Sequence, residues 1–390
     1  MVSIETADNA LKSFYLDAVS EALNYKANPL LAQIGQSTNN VVGKDVKKLL
    51  KNNNFGGVLG GSETGNLPKS QDGERIVLTA TLKNLYGTIE ISDKALRASA
   101  SNEGAFVNLL NDEMQTLINS ASYNFGRMLF GDGNGYLTKF TSEVGENSAV
   151  VDDATNLRIG MKVTLYDQFG SAIEGCENLE IIDVNRDRNE VYFNYSGVLS
   201  ASIPSTVFVN LAGAHNYEIT GLAKIFNQEM IYGVRKTTST AMQPYIQEEV
   251  GDITSLKMQK ALDDIERISG DGVNFIVCSW GVRRALMEHL TKNTTTVQSM
   301  EIAGGFKAIS FNGIPVVADR FCPNGTMYLL NTNDFKIHQL CDWKWLEGED
   351  GKILKQVPGK PVYTATLVKY AELMCDRPCG QGMLTGITEK

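Results

Sequence analysis

The sequence predicts an α+β chain built for assembly rather than catalysis, and three observations carry that expectation. Residues 101–135 read as one unusually long amphipathic helix ending in the abrupt turn Gly131-Asp132-Gly133-Asn134-Gly135. The segment before it is rich in Gly, Asn, Ser and Lys and offers too few apolar anchors for a core of its own. After the turn, residues 137–217 change to short β runs with no helical stripe. With 390 residues, 43% of them hydrophobic, the chain can bury a sizeable core spread over two or three structural units.

From the start of the chain, Leu11, Phe14, Ala18 and Ala22, flanked by Tyr15, Val19 and Leu23, predict an amphipathic helix over residues 7–25. Asn28-Pro29 breaks it, and a loop-rich stretch over 35–73 follows, including Asn52-Asn53-Asn54-Phe55-Gly56-Gly57 and Gly60-Gly61-Ser62-Glu63-Thr64-Gly65. Arg75 to Leu82 and Gly87 to Ile91 then alternate as strands do. Residues 50–91 are therefore expected to form an extended strand-loop-strand arm. An isolated two-stranded ribbon is marginal in water and exposes unpaired edges, so such an arm needs another surface. A surface loop closing an ordinary sheet is the competing reading; the long helix that follows favours an arm reaching a neighbouring subunit.

In that helix Phe106, Leu110, Met114, Leu117, Ala121, Phe125 and Met128 share one face, with Ser101 or Asn102 as the expected N-cap. At about 1.5 Å per residue it should run about 40 Å. The β runs beyond it, at 161–165, 179–184, 191–193 and 207–209, predict a small barrel or sandwich. In 218–345, Met258, Leu262, Ile265 and Ile268 stripe a helix opened by Asp252 or Thr254; Phe275 to Cys278 reads as a buried strand and Val282 to Leu290 as another helix. Asn312-Gly313 between two β runs predicts a tight hairpin, with Pro315 confined to a sheet edge or the first residues of its strand. Trp343 and Trp345 alternate on a strand with one face buried, in the core or at a subunit contact. Tyr363 to Leu373 should be a last long strand returning to the long helix.

Composition narrows the function. Lys and Arg number 36 against 45 Asp and Glu, a net charge of −9, which disfavours a tight grip on a nucleic-acid backbone. The local exception, Lys44, Lys47, Lys48 and Lys51, reads as a solvated segment or a subunit contact. No run approaches the roughly 18 apolar residues of a membrane span, the N-terminus lacks the order of a secretion signal, and a cytosolic origin is expected. Six scattered cysteines are expected to be free thiols. His215, His289 and His338 lie far apart with no zinc spacing, and neither metal nor cofactor is expected. Gly56 to Gly61 lacks the Gly-Lys-Ser/Thr ending of a phosphate loop. Cys278-Ser279-Trp280-Gly281 lacks the glycine expected before an elbow nucleophile, and Asp263-Asp264 point to different sides of a helix.

The order of these parts resembles the major capsid proteins of tailed bacteriophages, the coat fold named after phage Hong Kong 97. The likeness is carried by Leu85-Tyr86-Gly87-Thr88-Ile89-Glu90-Ile91-Ser92, the helix end Arg127 to Gly135, Glu218-Ile219-Thr220-Gly221-Leu222 and Leu367 to Leu373. It implies an N-terminal arm over 1–49, an extended E-loop over 50–91, the spine helix of the peripheral domain within 92–136, a mainly axial domain over 218–345, and strands over 346–390 that rejoin the peripheral domain. The all-β insertion at 137–217 departs from that plan. The resemblance also implies hexamers and pentamers of an icosahedral head, assembled in the cytoplasm of a host bacterium and enclosing double-stranded DNA without sequence-specific binding. Its partners would be many copies of itself, a portal and a separate scaffolding protein. Leu11, Phe14, Phe55, Leu59, Ile76, Leu78, Trp343 and Trp345 are the candidate assembly-interface residues. An encapsulin-like shell storing enzyme cargo, and a cytosolic enzyme of unknown activity, are the alternatives.

Overall fold

The structure is a computed structural model and describes residues 11–12, 16–26, 28–52, 58, 60–66, 74–95, 103–199, 203–204, 206–293, 299–302 and 305–390. The chain divides into two compact units, Met1–Gly126 with Ile225–Lys390, and Arg127–Lys224.

The first unit holds two large sheets, a ribbon and a short hairpin of Met230–Ile231 with Val234–Arg235. Its seven-stranded sheet runs in the order Tyr245–Gln247, Gly382–Leu384, Met327–Leu330, Phe275–Cys278, Ile314–Ala318, Phe306–Phe311, Ser299–Ile302. Phe275–Cys278 is buried at every position, as suits an interior strand. The hairpin turns through Asn312 and Gly313, at φ 50° and 81°, a pair of positive angles that few other dipeptides adopt without cost. Pro315 is the second residue of its strand and faces Ser310, while pairing with the other neighbour begins only at Val316, so its missing N–H breaks no ladder bond. Helix Ser255–Ser269 is capped by the Thr254 side chain, which accepts from the Lys257 N–H, and closes on Gly270 in the left-handed region. It buries Met258, Ala261, Leu262 and Ile265 against this sheet; Ile268, expected on the same stripe, is exposed, because the buried face ends one turn before the cap.

The five-stranded sheet is built on Val362–Cys375, which pairs with Phe335–Trp345, with Lys83–Ser92 over ten residues, and with Lys355–Gln356; Gly35–Ser37 adds a parallel edge to Phe335–Trp345. The long helix spans Glu103–Met128, and the chain has left it before the glycine turn. Within the first unit it lies on this sheet. Leu117 sits so close to Gly87 that a Cβ there would be 2.8 Å from its Cδ1, and the Phe125 ring meets Trp343 edge-on at 6.1 Å. Ser101, Asn102 and the side chains of Phe106 and Leu110 lie outside the described residues.

The N-terminal segment corrects an expectation. Its Leu11, expected at an assembly interface, is docked on the chain's own body. Leu11, Val19, Leu23, Leu30 and Leu31 are buried, the Trp345 Nε1–H donates to the Leu11 carbonyl at 3.1 Å, and Ser20 and Asn24 donate to Asp342. Lys369 completes the anchor from inside, its Nζ donating to Asn24 Oδ1 (3.1 Å), Gln36 Oε1 (3.0 Å) and Asp342 Oδ1 (2.9 Å), which uses all three of its protons. Burial pushes this ammonium down from its ordinary value, and Asp342 pulls it back.

The second unit is a closed six-stranded barrel in the order Glu190–Phe193, Ser148–Val151, Tyr136–Val144, Phe208–Leu211, Lys162–Tyr166, Leu179–Asn185, the last pairing back on the first. Inward-pointing Val163, Leu165, Ile181, Val191, Phe193 and Val209 fill it. The stretch Glu218 to Leu222 packs on the helix end. The Leu222 N–H donates to the Leu129 carbonyl at 2.8 Å, and any Cβ on Gly221 would drive into the carbonyl oxygens of Met128 and Gly131. Arg127 and Glu218 form a two-pronged ion pair whose side chains are almost fully buried.

Candidate assembly interface

The arm is a ribbon, Asp45–Asn52 against Glu74–Thr81, paired residue for residue from Asp45↔Thr81 to Asn52↔Glu74, with Val41–Val42 as a short third strand. The paired ribbon runs from residue 45 to residue 81, and Lys83–Ser92 pairs in the five-stranded sheet. Basic residues at 44, 47, 48 and 51 mask the alternation of the first strand, which is why composition alone reads it as loop.

Directly opposite residues share a face. Val46 with Ala80, Lys48 with Leu78, and Leu50 with Ile76 form the inner face, where Val46, Leu50, Leu78 and Ala80 are buried. The ribbon is tied to the rest of the first unit by the Thr79 backbone N–H donating to the Tyr232 carbonyl at 3.0 Å and, from the inner face, by an ion pair of Lys48 with Asp376. Tyr232 is itself fixed, its hydroxyl donating to the Leu373 carbonyl and accepting from the Cys375 N–H, both at 3.0 Å. The outer face carries the Leu49–Val77 pair, 61% and 52% exposed, beside exposed Lys47 and Arg75. Val58, in the stretch joining the two strands, is 96% exposed. The ribbon thus presents an apolar and basic surface from an acidic chain.

Of the residues singled out from sequence, Leu78 and the half-buried Ile76 sit on the inner face, one position out of register with the exposed pair; in a strand a shift of one residue reverses the face. Leu11, Trp343 and Trp345 are buried within the chain, so they belong to its core and not to a surface offered to a neighbour. Phe14, Phe55 and Leu59 lie outside the described residues. Sequence reasoning missed Leu49 and Val77; the pairing register from Asp45, once known, is the signal that finds them.

Two of the three histidines hydrogen-bond to backbone groups. His338 Nδ1 lies 2.9 Å from the Asn39 carbonyl, and His289 Nε2 accepts from the Ser255 N–H at 3.1 Å. Among the described residues no group of three His, Cys, Asp or Glu side chains is placed to hold a metal ion, and no helix is long and apolar enough to cross a membrane. Ser279 donates to Glu389, and burial pushes the preceding Cys278 thiol up to about 12, far from a reactive thiolate.

No family model and no curated protein matches the sequence. The fold is similar to that of a chain in the cyanophage A-1(L) capsid asymmetric unit, with a TM-score of 0.57 at 12% identity over 95% of this chain and 92% of that one. Weaker likenesses reach the satellite phage P4 procapsid including size determination (Sid) protein, with a TM-score of 0.47 at 10% identity over 96% and 97% of the two chains. A chain of the holo-SrpI encapsulin complex from Synechococcus elongatus PCC 7942 also has a TM-score of 0.47, at 10% identity over 91% and 85%. Over nearly its full length the chain shares the fold of that cyanophage capsid chain.

Proposed function

We propose that the chain is a major capsid protein that self-assembles into hexamers and pentamers of an icosahedral phage head enclosing double-stranded DNA. The observation that carries this reading is the likeness to the cyanophage capsid chain over nearly the full length of both. In this reading the segment up to residue 44 is the N-terminal arm, the ribbon Asp45–Thr81 is the E-loop, Glu103–Met128 is the spine helix, the seven-stranded sheet belongs to the axial domain, and the barrel is an insertion. Copies of the chain, a portal and a separate scaffolding protein are its partners.

Assembly then follows from surface chemistry. Stable contacts between proteins bury on the order of 1,000 Å² or more, and contacts repeated around five-fold and six-fold axes close a shell. The outer ribbon face supplies a candidate contact, because Leu49 and Val77 remain in water in the single chain while Lys47 and Arg75 attract acidic neighbours. A net charge of −9 also keeps the wall from gripping DNA. Light scattering and negative-stain microscopy of the purified chain test the proposal: closed particles of megadalton mass support it, and a discrete small oligomer at every concentration refutes it. Nuclease-protected DNA in the particles separates a genome container from a store of enzyme cargo.

A further inference from the structure

The barrel carries a cleft of about 280 Å³. Two aromatic pairs wall it. Tyr136 and Phe208, each the first residue of a barrel strand, meet edge-to-face at 5.8 Å, and Tyr166, the last residue of another, stacks on His215 at 4.3 Å and 17°.

Asn210 positions the histidine. Its Nδ2 donates to the Asn134 carbonyl at 2.8 Å, which fixes the orientation of the amide, and the same nitrogen lies 2.9 Å from His215 Nδ1. Asn210 thus ties His215 to the backbone of Asn134 and holds its ring against Tyr166. The histidine offers the cleft an aromatic surface.

The charge in the cleft is negative. Asp132 and Asp167 line it, and among the described residues no lysine or arginine does. Asp167 uses Oδ1 to accept from the Phe169 and Ser171 N–H groups at 2.9 and 2.8 Å, which builds the loop and leaves Oδ2 for another partner. Asp132 is held by Asn134, whose backbone and side-chain nitrogens both donate to it at 2.9 Å. Burial, followed by Asp152, Asp132 and Asp153, pushes the Tyr136 hydroxyl up to about 12, which reports the same negative field.

Aromatic rings beside carboxylates with no competing lysine or arginine attract positive charge, through the ring quadrupole and through Coulomb attraction together. The volume lies at the small end of ligand clefts, too little for a folded segment. We propose that this cleft binds a small organic cation, an alkylammonium or guanidinium group whose charge lies between Asp132 and Asp167 and whose carbon chain lies against Tyr136, Tyr166 and Phe208. An anionic or phosphate ligand is repelled there. A free amine and the lysine side chain of a neighbouring copy share this chemistry.

Saturation-transfer NMR on the full chain, at low ionic strength, with n-butylammonium and with 1-butanol as its uncharged counterpart, tests the inference. The amine should bind at least about ten-fold more tightly than the alcohol, and Asp167→Asn, which keeps Oδ1 for the loop, should weaken the amine by about five-fold or more. Tyr166→Leu should weaken it similarly. Equal uptake of amine and alcohol by the unaltered chain overturns the proposal whether or not the variants fold, as does amine binding unchanged in a folded Asp167→Asn chain. Uptake by both dispersed subunits and assembled particles marks a free amine as the occupant. Uptake by dispersed subunits alone marks a neighbour's lysine.

Discussion

Replacing Leu49 and Val77 together by threonine should raise the concentration at which particles form while leaving the subunit fold alone. Full burial of a leucine or valine side chain is worth about 1.5–3 kcal/mol, and somewhat more than half of each remains exposed in the single chain. Threonine retains one methyl group, so the pair forfeits about 2 kcal/mol per ribbon contact. At about 1.4 kcal/mol per factor of ten, that weakens each contact about 30-fold. The subunit should lose no more than about 0.5 kcal/mol, because threonine has the branched Cβ that strands favour and neither side chain packs in the core. Light scattering against total protein concentration reads the assembly threshold, and denaturant melting reads the subunit. An unchanged threshold refutes the assignment of this face to assembly. A higher threshold with an equal fall in subunit stability refutes the claim that the pair acts between copies.

Other outcomes follow from buried groups. Glu218→Gln strands Arg127 as an uncompensated buried charge and should cost about 3–5 kcal/mol in barrel stability, while the double change with Arg127→Met should recover most of it; calorimetry on both separates the two. Gly221→Ala has no room against the backbone of Met128 and Gly131, and should abolish soluble expression or lower the melting temperature of the barrel steeply. Burial pushes the Asp319 carboxyl from 3.8 up to about 6, so the folded chain holds a proton there that the unfolded chain releases. Stability from this group is full below about pH 4 and is lost as pH rises through about 6. Asp319→Asn should therefore gain up to about 3 kcal/mol at pH 7.5 relative to its effect at pH 4, and a denaturant midpoint shift equal at both pH values contradicts this. Lys369→Met removes the donor shared by Asn24, Gln36 and Asp342, and should expose residues 16–37 to limited proteolysis while the barrel stays resistant.

What the sequence makes legible is local. Asn312-Gly313 names its turn because the required positive φ angles belong to those two residues, and Thr254 names its helix start through a bond three residues long. The long helix is readable because its stripe repeats over many turns. The anchor of the N-terminal segment is not, because Lys369 lies far along the chain from Asn24 and Gln36 and reads as one polar position in an alternating strand. Trp343 and Trp345 alternate in the same way whether their buried face meets the chain's own helix or a neighbour; only the packing of Phe125 on Trp343 decides. The ribbon face failed for a related reason, since Ile76 and Val77 look alike until the partner strand fixes the register. The cleft was invisible because its walls come from positions between 132 and 215, brought together only when the barrel closes.

The central claim is that this chain builds a closed shell in which the outer face of each ribbon meets another copy. A cryo-electron microscopy reconstruction of the purified assembly tests it most directly. The account predicts icosahedral particles with five-fold and six-fold clusters, in which Leu49 and Val77 are buried against a neighbouring subunit. Small oligomers without such symmetry, or a shell in which that face still lies in open solvent, would contradict it.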